Sequence, residues 1–462
     1  IINGSPYALV ERVYAPWTDM ADKMRANKIP LFSLESRRPL KDFDIIGFSL
    51  GYELTFTNVL EMLDLAGIPV FARERDDRDP IVIAGGTSCL NPEPMSDFID
   101  LFVLGDGEEA IAELLQLFRE WKKEHFNRKT LFRKAAAIPG IYVSSLYNLA
   151  YDKDGLFKSI TPASSEAKPI ICRRIVTSLG APVVKPVVPY VEAVHDRGAL
   201  EIQRGCSRGC RFCQASVIYR PVRERTHDEV VKAVGDLMRN CGYNEISLVS
   251  LSSSDYSGIE GLVKELVRRY GRDHLSLQLP SLRIDNFSVQ LMDALSTGRK
   301  TGLTFAPEAG SERLRQVINK PIADSEILET ASAAFSRGWN GLKLYFMLGL
   351  PTETTDDVDA ALHLIEAIRG AGAQGRRPQI RVSFSTFVPK PHTPFQWVAQ
   401  ESESILGQKQ ERLSRELTRK GIRLSWSDPK SSLLEAALSR GDRRLGKVIY
   451  KAWKDGAVFD AW

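Results

Sequence analysis

Three of the chain's six cysteines, Cys206, Cys210 and Cys213, stand within the run RGCSRGCRFCQAS (204–216). Spaced i, i+4 and i+7, they would share one face of a helix, and a buried helical stripe is the plain structural account. Gly205, Gly209 and the interleaved arginines make a helix there unattractive. A zinc site of three Cys with His195 or His227 is a second account, but zinc usually takes paired C-x2-C knuckles and only one is present. An iron–sulfur cubane is the third. Such clusters usually take four thiolates, so three leave one iron without a protein ligand and open to another molecule. The spacing and the loop glycines favour the cluster.

Arg204, Arg208, Arg211, Arg220, Arg223 and Arg225 surround the thiols, with only Glu224 opposing them. Arginines beside thiolates offset negative charge and bind an anionic ligand. Arg223 and Arg225 read equally well as a solvated basic loop. The other cysteines, Cys89, Cys172 and Cys241, are scattered and read as small buried hydrophobes. Six cysteines in 462 residues do not make a disulfide framework, which points to a reducing cytoplasm. A net charge of +4, from 62 basic and 58 acidic residues, is too small to argue for nucleic acid. No apolar run is long enough to span a bilayer, so no membrane partner is expected.

The elements that must position these thiols alternate along the chain. Residues 1–121 read as a Rossmann-like, doubly wound α/β domain. DIIGFSL (44–50), IVIAGG (81–86) and DLFVLGDGEEAI supply strands, and a helix through NVLEMLDLAG stops at Gly67. Its opening strand should precede VERVYAPW, where only a stub of sequence stands, so the domain reads as truncated. Residues 122–196 read as a connector of short strands and loops. From 197 to 400, strands ALEIQ (199–203), EISLVSL (245–251), LSLQL (275–279), GLTFA (302–306), GLKLYFML (341–348) and IRVSFSTF (380–387) alternate with helices. Two of those helices carry capping-box signatures, Thr226…Glu229 and Ser257…Glu260. Six such units predict a (β/α)6 partial barrel with its active site at the carboxyl ends of the strands, where Cys206 falls. Residues 401–462 read as a small α-rich capping region.

C-x3-C-x2-C with an aromatic before the last Cys resembles the defining motif of the radical S-adenosylmethionine (SAM) enzymes. That resemblance implies a [4Fe–4S] cluster on Cys206, Cys210 and Cys213, whose fourth iron chelates SAM and whose electron cleaves it to a 5′-deoxyadenosyl radical. It also implies an electron donor such as flavodoxin or ferredoxin. By the same resemblance Phe212 lies near the adenine. YFMLGLPTE resembles the G-x-I-x-G-x-x-E adenine motif, keeping Gly349 and Glu353 but departing at Tyr345 and Met347. Glu308 in TFAPEAG stands at a ribose-contacting position. The Gly-Gly-Glu motif that holds the SAM amine is replaced by LSSSDY, where Ser253, Ser254 and Asp255 stand in. As plain structure, Glu308 and Glu353 would be loop carboxylates that cap a helix or pair with Arg313.

Taken with IYRPVRER and LTFAPEAGSERLRQVINK, these segments resemble the radical SAM subfamily with an N-terminal cobalamin-binding-type domain and unassigned substrate. Such domains are marked by D-x-H-x-x-G, S-x-L and a Gly pair. Ser49 matches the serine, Gly51 replaces the leucine, and Gly85 and Gly86 match the pair; the His motif would fall upstream of Ile1. The expected function is modification of an unactivated carbon in RNA, protein or a small molecule, with cobalamin-dependent methyl transfer as its sharpest form. Two alternatives stand. FVPKPHTPFQW resembles a segment of the methylthiotransferases, although their second Cys cluster is missing here, and a metal-bearing interaction module would need no catalysis.

Overall fold

The structure is a computed structural model that describes residues 1–191, 196–284, 291–293, 303–372 and 378–459. His195 and Gly302, the first residue of one expected strand, lie outside these. The chain divides into two compact units, Ile1–Val176 with Leu434–Trp462, and Thr177–Leu433.

In the first unit, β1 (Ile45–Ser49), β2 (Ile81–Gly85) and β3 (Leu101–Val103) pair in parallel, and β4 (Ile141–Tyr142) closes the sheet antiparallel to β3. Both faces of the sheet are covered, as the near-continuous apolar strands require. Ile81, Ile83, Leu101 and Val103 pack on helices Gly107–Glu124 and Arg128–Ala136. Ile46, Val82, Ala84 and Phe102 share the opposite core with helices Thr18–Ala26 and Phe56–Leu65. The latter ends just before Gly67, which takes the left-handed conformation expected after a helix terminus (φ 66°). A hairpin of β5 (Tyr147–Tyr151) and β6 (Phe157–Pro162) follows.

The C-terminal region is not one capping piece. Residues 434–462 belong to the first unit, because Leu438, Ile449 and Trp453 are buried in its core, and Trp453 donates to Glu61 at 2.9 Å. Helix Glu403–Arg419 belongs instead to the second unit, where it buries Leu406, Leu413 and Leu417.

The second unit is the partial barrel, parallel in every barrel-strand pairing described. β7 (Gly198–Glu201), β10 (Glu245–Val249) and β11 (Ser276–Gln278) form one hydrogen-bonded group. β12 (Leu303–Glu308), β13 (Gly341–Leu348), β14 (Gln379–Thr386) and β15 (Arg423–Trp426) form the other. β15 is a strand the sequence reading did not anticipate. It is held by a stack in which Phe384 lies 5.6 Å from Phe346 and 4.8 Å from Trp426.

Alternation along β13 fixes its faces: Leu342, Leu344, Phe346 and Leu348 are buried among the helices, while Lys343, Tyr345 and Met347 stay half-buried on the concave side. The Thr226–Glu229 capping box forms at helix His227–Cys241. The Ser257–Glu260 box does not. Gly258, with φ 72°, caps helix Ile259–Tyr270, and the Ser257 N–H donates to Glu224 at 3.1 Å.

Candidate functional site

The cysteines sit in a loop whose two ends pair as a short antiparallel ribbon, β8 (Gln203–Arg204) with β9 (Arg223–Glu224). Cys206, Cys210 and Cys213 lie outside any helix, which removes the helical-stripe account. Gly205 is required where the loop leaves β8: its φ is 89°, and a Cβ there would stand 2.6 Å from the Pro221 and Tyr219 carbonyls.

The remaining loop backbone is pinned from several sides. Asn319 donates to the Gly209 carbonyl at 2.9 Å, the Arg211 N–H donates to Ile318 O at 2.9 Å, and Arg220 donates to Cys206 O at 3.3 Å. Cys213 ends the loop as the N-cap of helix Gln214–Ile218, its sulfur accepting from Ser216 N at 3.4 Å. Phe212 packs against a small apolar cluster that includes Ala309, Leu314, Leu350 and Phe387, residues just beyond the carboxyl ends of β12, β13 and β14 or on the helix that follows β12.

Cys206 and Cys210 are buried and Cys213 half-buried. Burial pushes the Cys210 thiol up; Lys320 and Arg283 pull it down, and neighbouring Cys213 adds to the upward push. Burial prevails over the two cations, which nonetheless face the Cys210 sulfur and would offset negative charge there. Among the described residues no three His, Cys, Asp or Glu side chains converge to hold a single metal ion. A cubane asks for something different, a thiolate on each of several separate irons. Two arginines correct the solvated-loop reading. Arg223 and Arg225 are 7% exposed and brace the chain, Arg223 on Tyr219 O at 3.0 Å and Arg225 on Glu201 O at 2.8 Å.

The other barrel residues singled out in the sequence collect at the carboxyl ends of its strands. Past β10, Ser253 shares a hydrogen bond with Ser250 (3.1 Å), and the Ser254 hydroxyl accepts from Arg283 N at 3.0 Å. Asp255 holds the Arg208 guanidinium through two contacts, one of 2.8 Å, so this turn grips the cysteine loop. Glu308 ends β12 beside a register shift, has a positive φ of 70°, and pairs with Lys320 at 3.0 Å. Gly349 takes φ 79°, and its N–H donates to Glu353 at 3.0 Å. Burial pushes the Glu353 carboxyl up, against the pull of Lys409 at 2.7 Å and of that N–H. Arg313 pairs with Asp357, not with Glu308 or Glu353.

Sequence reasoning singled out none of Lys320, Asn319, Arg283 and Lys409, although the first two end the segment LTFAPEAGSERLRQVINK. Ser49, Gly85 and Gly86 lie in the first unit at the carboxyl ends of β1 and β2, with Ser49 opposite Gly85 in register.

A parallel partial barrel with three thiols in a braced, cation-faced loop at its strand ends has the layout of an enzyme that works through an iron–sulfur cluster. Residues 1–144 match the family described as "Radical SAM proteins, N-terminal", and residues 200–365 match "Radical SAM superfamily". The chain belongs to the radical SAM superfamily, whose enzymes use a [4Fe–4S] cluster and SAM. An uncharacterized protein of Methanocaldococcus jannaschii is 29% identical over 432 residues, 92% of this chain and 84% of that one. The ribosomal protein uS12 methylthiotransferase RimO of Thermotoga petrophila is 24% identical over 179 residues, 37% of this chain and 41% of its own. Among solved structures, the radical SAM methyltransferase TsrM from Kitasatospora setae, with cobalamin and a [4Fe–4S] cluster bound, superposes with a TM-score of 0.53 at 16% identity. That match covers 82% of this chain and 68% of TsrM. No described helix is long and apolar enough to cross a membrane.

Proposed function

We propose that this radical SAM enzyme modifies an unactivated carbon by cobalamin-dependent methyl transfer, one SAM giving the methyl group and a second, cleaved reductively, giving the radical that takes the hydrogen from that carbon. The observation that carries the reading is the likeness to TsrM over 82% of the chain, more than either unit alone supplies. In this reading Cys206, Cys210 and Cys213 would hold the cluster, and the chemistry it would supply is one-electron reduction of SAM. Asp255, through Arg208, and Phe212 position their loop. Glu308 and the Gly349–Glu353 turn shape the SAM pocket. A donor such as flavodoxin or ferredoxin delivers the electron.

Exposure of Ser49 and Gly86 at the strand ends of the first unit, and the absence of any atom within 4 Å of a Cβ built on Gly51, support a ligand there. Cobalamin, when bound, supplies a methyl carrier. His125, the sole histidine of residues 1–176, follows helix Gly107–Glu124 at its carboxyl end, on the amino side of the parallel strands and away from the strand ends where cobalamin would be held. The methylthiotransferase reading is weaker, since the first unit holds only Cys89, buried, and Cys172 in place of a second cluster.

The test is reconstitution with hydroxocobalamin, desalting and a visible spectrum. Cobalamin absorption bands retained on top of the brown cluster absorption, with a full iron complement, support the proposal. A protein that keeps its iron and shows the cluster absorption alone would make the first unit a scaffold and end the methyl-transfer reading.

A further inference from the structure

Among the described residues, the concave face of the barrel carries a row of positive charge with no ion-pair partner. Lys343 on β13 stands in register with Arg381 on β14, which stands in register with Arg423 on β15. Residues flanking all three, Leu342, Leu344, Ile380, Val382, Ile422 and Leu424, pack among the helices, so the cations share the opposite, concave face. Parallel strands lie about 4.8 Å apart, so three positive charges fall along about 10 Å. Like charges directly opposite one another on a sheet oppose folding. Among the described residues no carboxylate answers them: Arg381 and Arg423 are exposed and make no ion pair, and the contact of Lys343 is the Tyr345 ring at 4.7 Å. At the amino end of β10, Glu245 is already engaged by Arg197 at 3.3 Å.

Above this row toward the cysteine loop comes a row of hydroxyls in register, Tyr345, Ser383 and Ser425, and then Met347 beside Ser385. From Lys343 to the end of β13 is five residues, about 16 Å of strand.

We propose that Lys343, Arg381 and Arg423 bind a phosphate or diphosphate group of the substrate, anchoring it at the amino end of the barrel while its reacting carbon lies at the cysteine loop. The inference rests on the barrel being the reaction chamber, and it narrows the substrate to a phosphate-bearing small molecule of that reach. A single carboxylate needs one guanidinium; a line of three cations matches the several charges and oxygens of phosphoryl groups.

The probe is inorganic pyrophosphate, titrated calorimetrically into the full chain, with citrate as a carboxylate control, on wild type, R381Q and R423Q. Wild type should bind pyrophosphate more tightly than citrate. Each variant should lose about tenfold or more of that affinity. Without anion, each variant should melt at the same temperature as wild type or about 1–3 °C higher, since repulsion has been relieved. Absent binding, or equal binding by wild type and both variants, overturns the proposal. So does equal affinity for citrate, which would reassign the row to carboxylates. Weakened binding with a lowered melting temperature in both variants would make the row structural and also overturn it. Pyrophosphate binding needs neither cobalamin nor turnover, so failure to take up cobalamin leaves this result untouched.

Discussion

Arg208 and Asp255 connect two loops that are 47 positions apart in sequence, and through them the turn after β10 holds the cysteine loop in place. Asp255→Asn removes the charge but keeps the size, so it should speed iron loss to a chelator several-fold while leaving the melting temperature close to wild type. An unchanged rate would mean the loop stands without it. Asp357 plays the same part between the loops after β12 and β13, accepting from Ser311, Arg313 and Thr354. Burial works against its ionised form, yet Arg313, Ser311 and Thr354 hold it down at about 2, below its ordinary 3.8. A depressed carboxylate stabilises the fold above its unfolded value, so this contribution is intact above about pH 4 and is lost as pH falls toward 2. Asp357→Asn should therefore lower stability at neutral pH and flatten the acid limb of the melting curve between those values. An acid limb as steep as that of wild type would contradict the role. The cysteines were legible because one short segment carries all three. Asn319, which meets Gly209 across 110 positions, and Lys409, which meets Glu353 across 56, act through long-range contacts that the order of residues in the sequence does not reveal.

The Gly85–Gly86 turn after β2 separates two reasons for a glycine. Gly86 has φ 114°, and a Cβ on it would stand 2.4 Å from the Leu50 carbonyl, so the chain itself fills that space. A Cβ on Gly85 would meet Val103 O at 3.4 Å, an ordinary contact. Gly86→Ala should cost about 1–3 kcal/mol of the first unit's stability, and Gly85→Ala much less. Equal losses in thermal melts would contradict this assignment. Bulky substitution at Gly85 is thus the cleaner probe of a ligand at the strand ends. Most barrel strands were legible from apolar runs between turn residues, with boundaries a residue or two off. β15 was not, because RLSW is four residues long and its pairing depends on the Phe346–Phe384–Trp426 stack. The return of 434–462 to the first unit was equally hidden, since an amphipathic helix does not say which core it covers.

Each unit has its own apolar core, so a ligand at one is expected to survive damage at the other. A bulky residue at Gly85 should remove cobalamin and leave iron in place, and Cys210→Ala should do the reverse. Loss of both ligands in either variant would contradict separate sites. The central claim is the cluster on three cysteines, and anaerobic reconstitution followed by iron and sulfide counts and a SAM-cleavage assay tests it most directly. The proteins compared are wild type, Cys206→Ala, Cys210→Ala, Cys213→Ala and, as controls, Cys89→Ala, Cys172→Ala and Cys241→Ala. Burial pushes the Cys89 thiol up to about 12, which suits a packing role and not a ligand. Wild type and the three controls should hold about four irons and four sulfides per chain and cleave SAM, while each loop variant loses both cluster and cleavage. Equal losses in the loop variants and the controls, or SAM cleavage that persists without Cys206, Cys210 or Cys213, would contradict it.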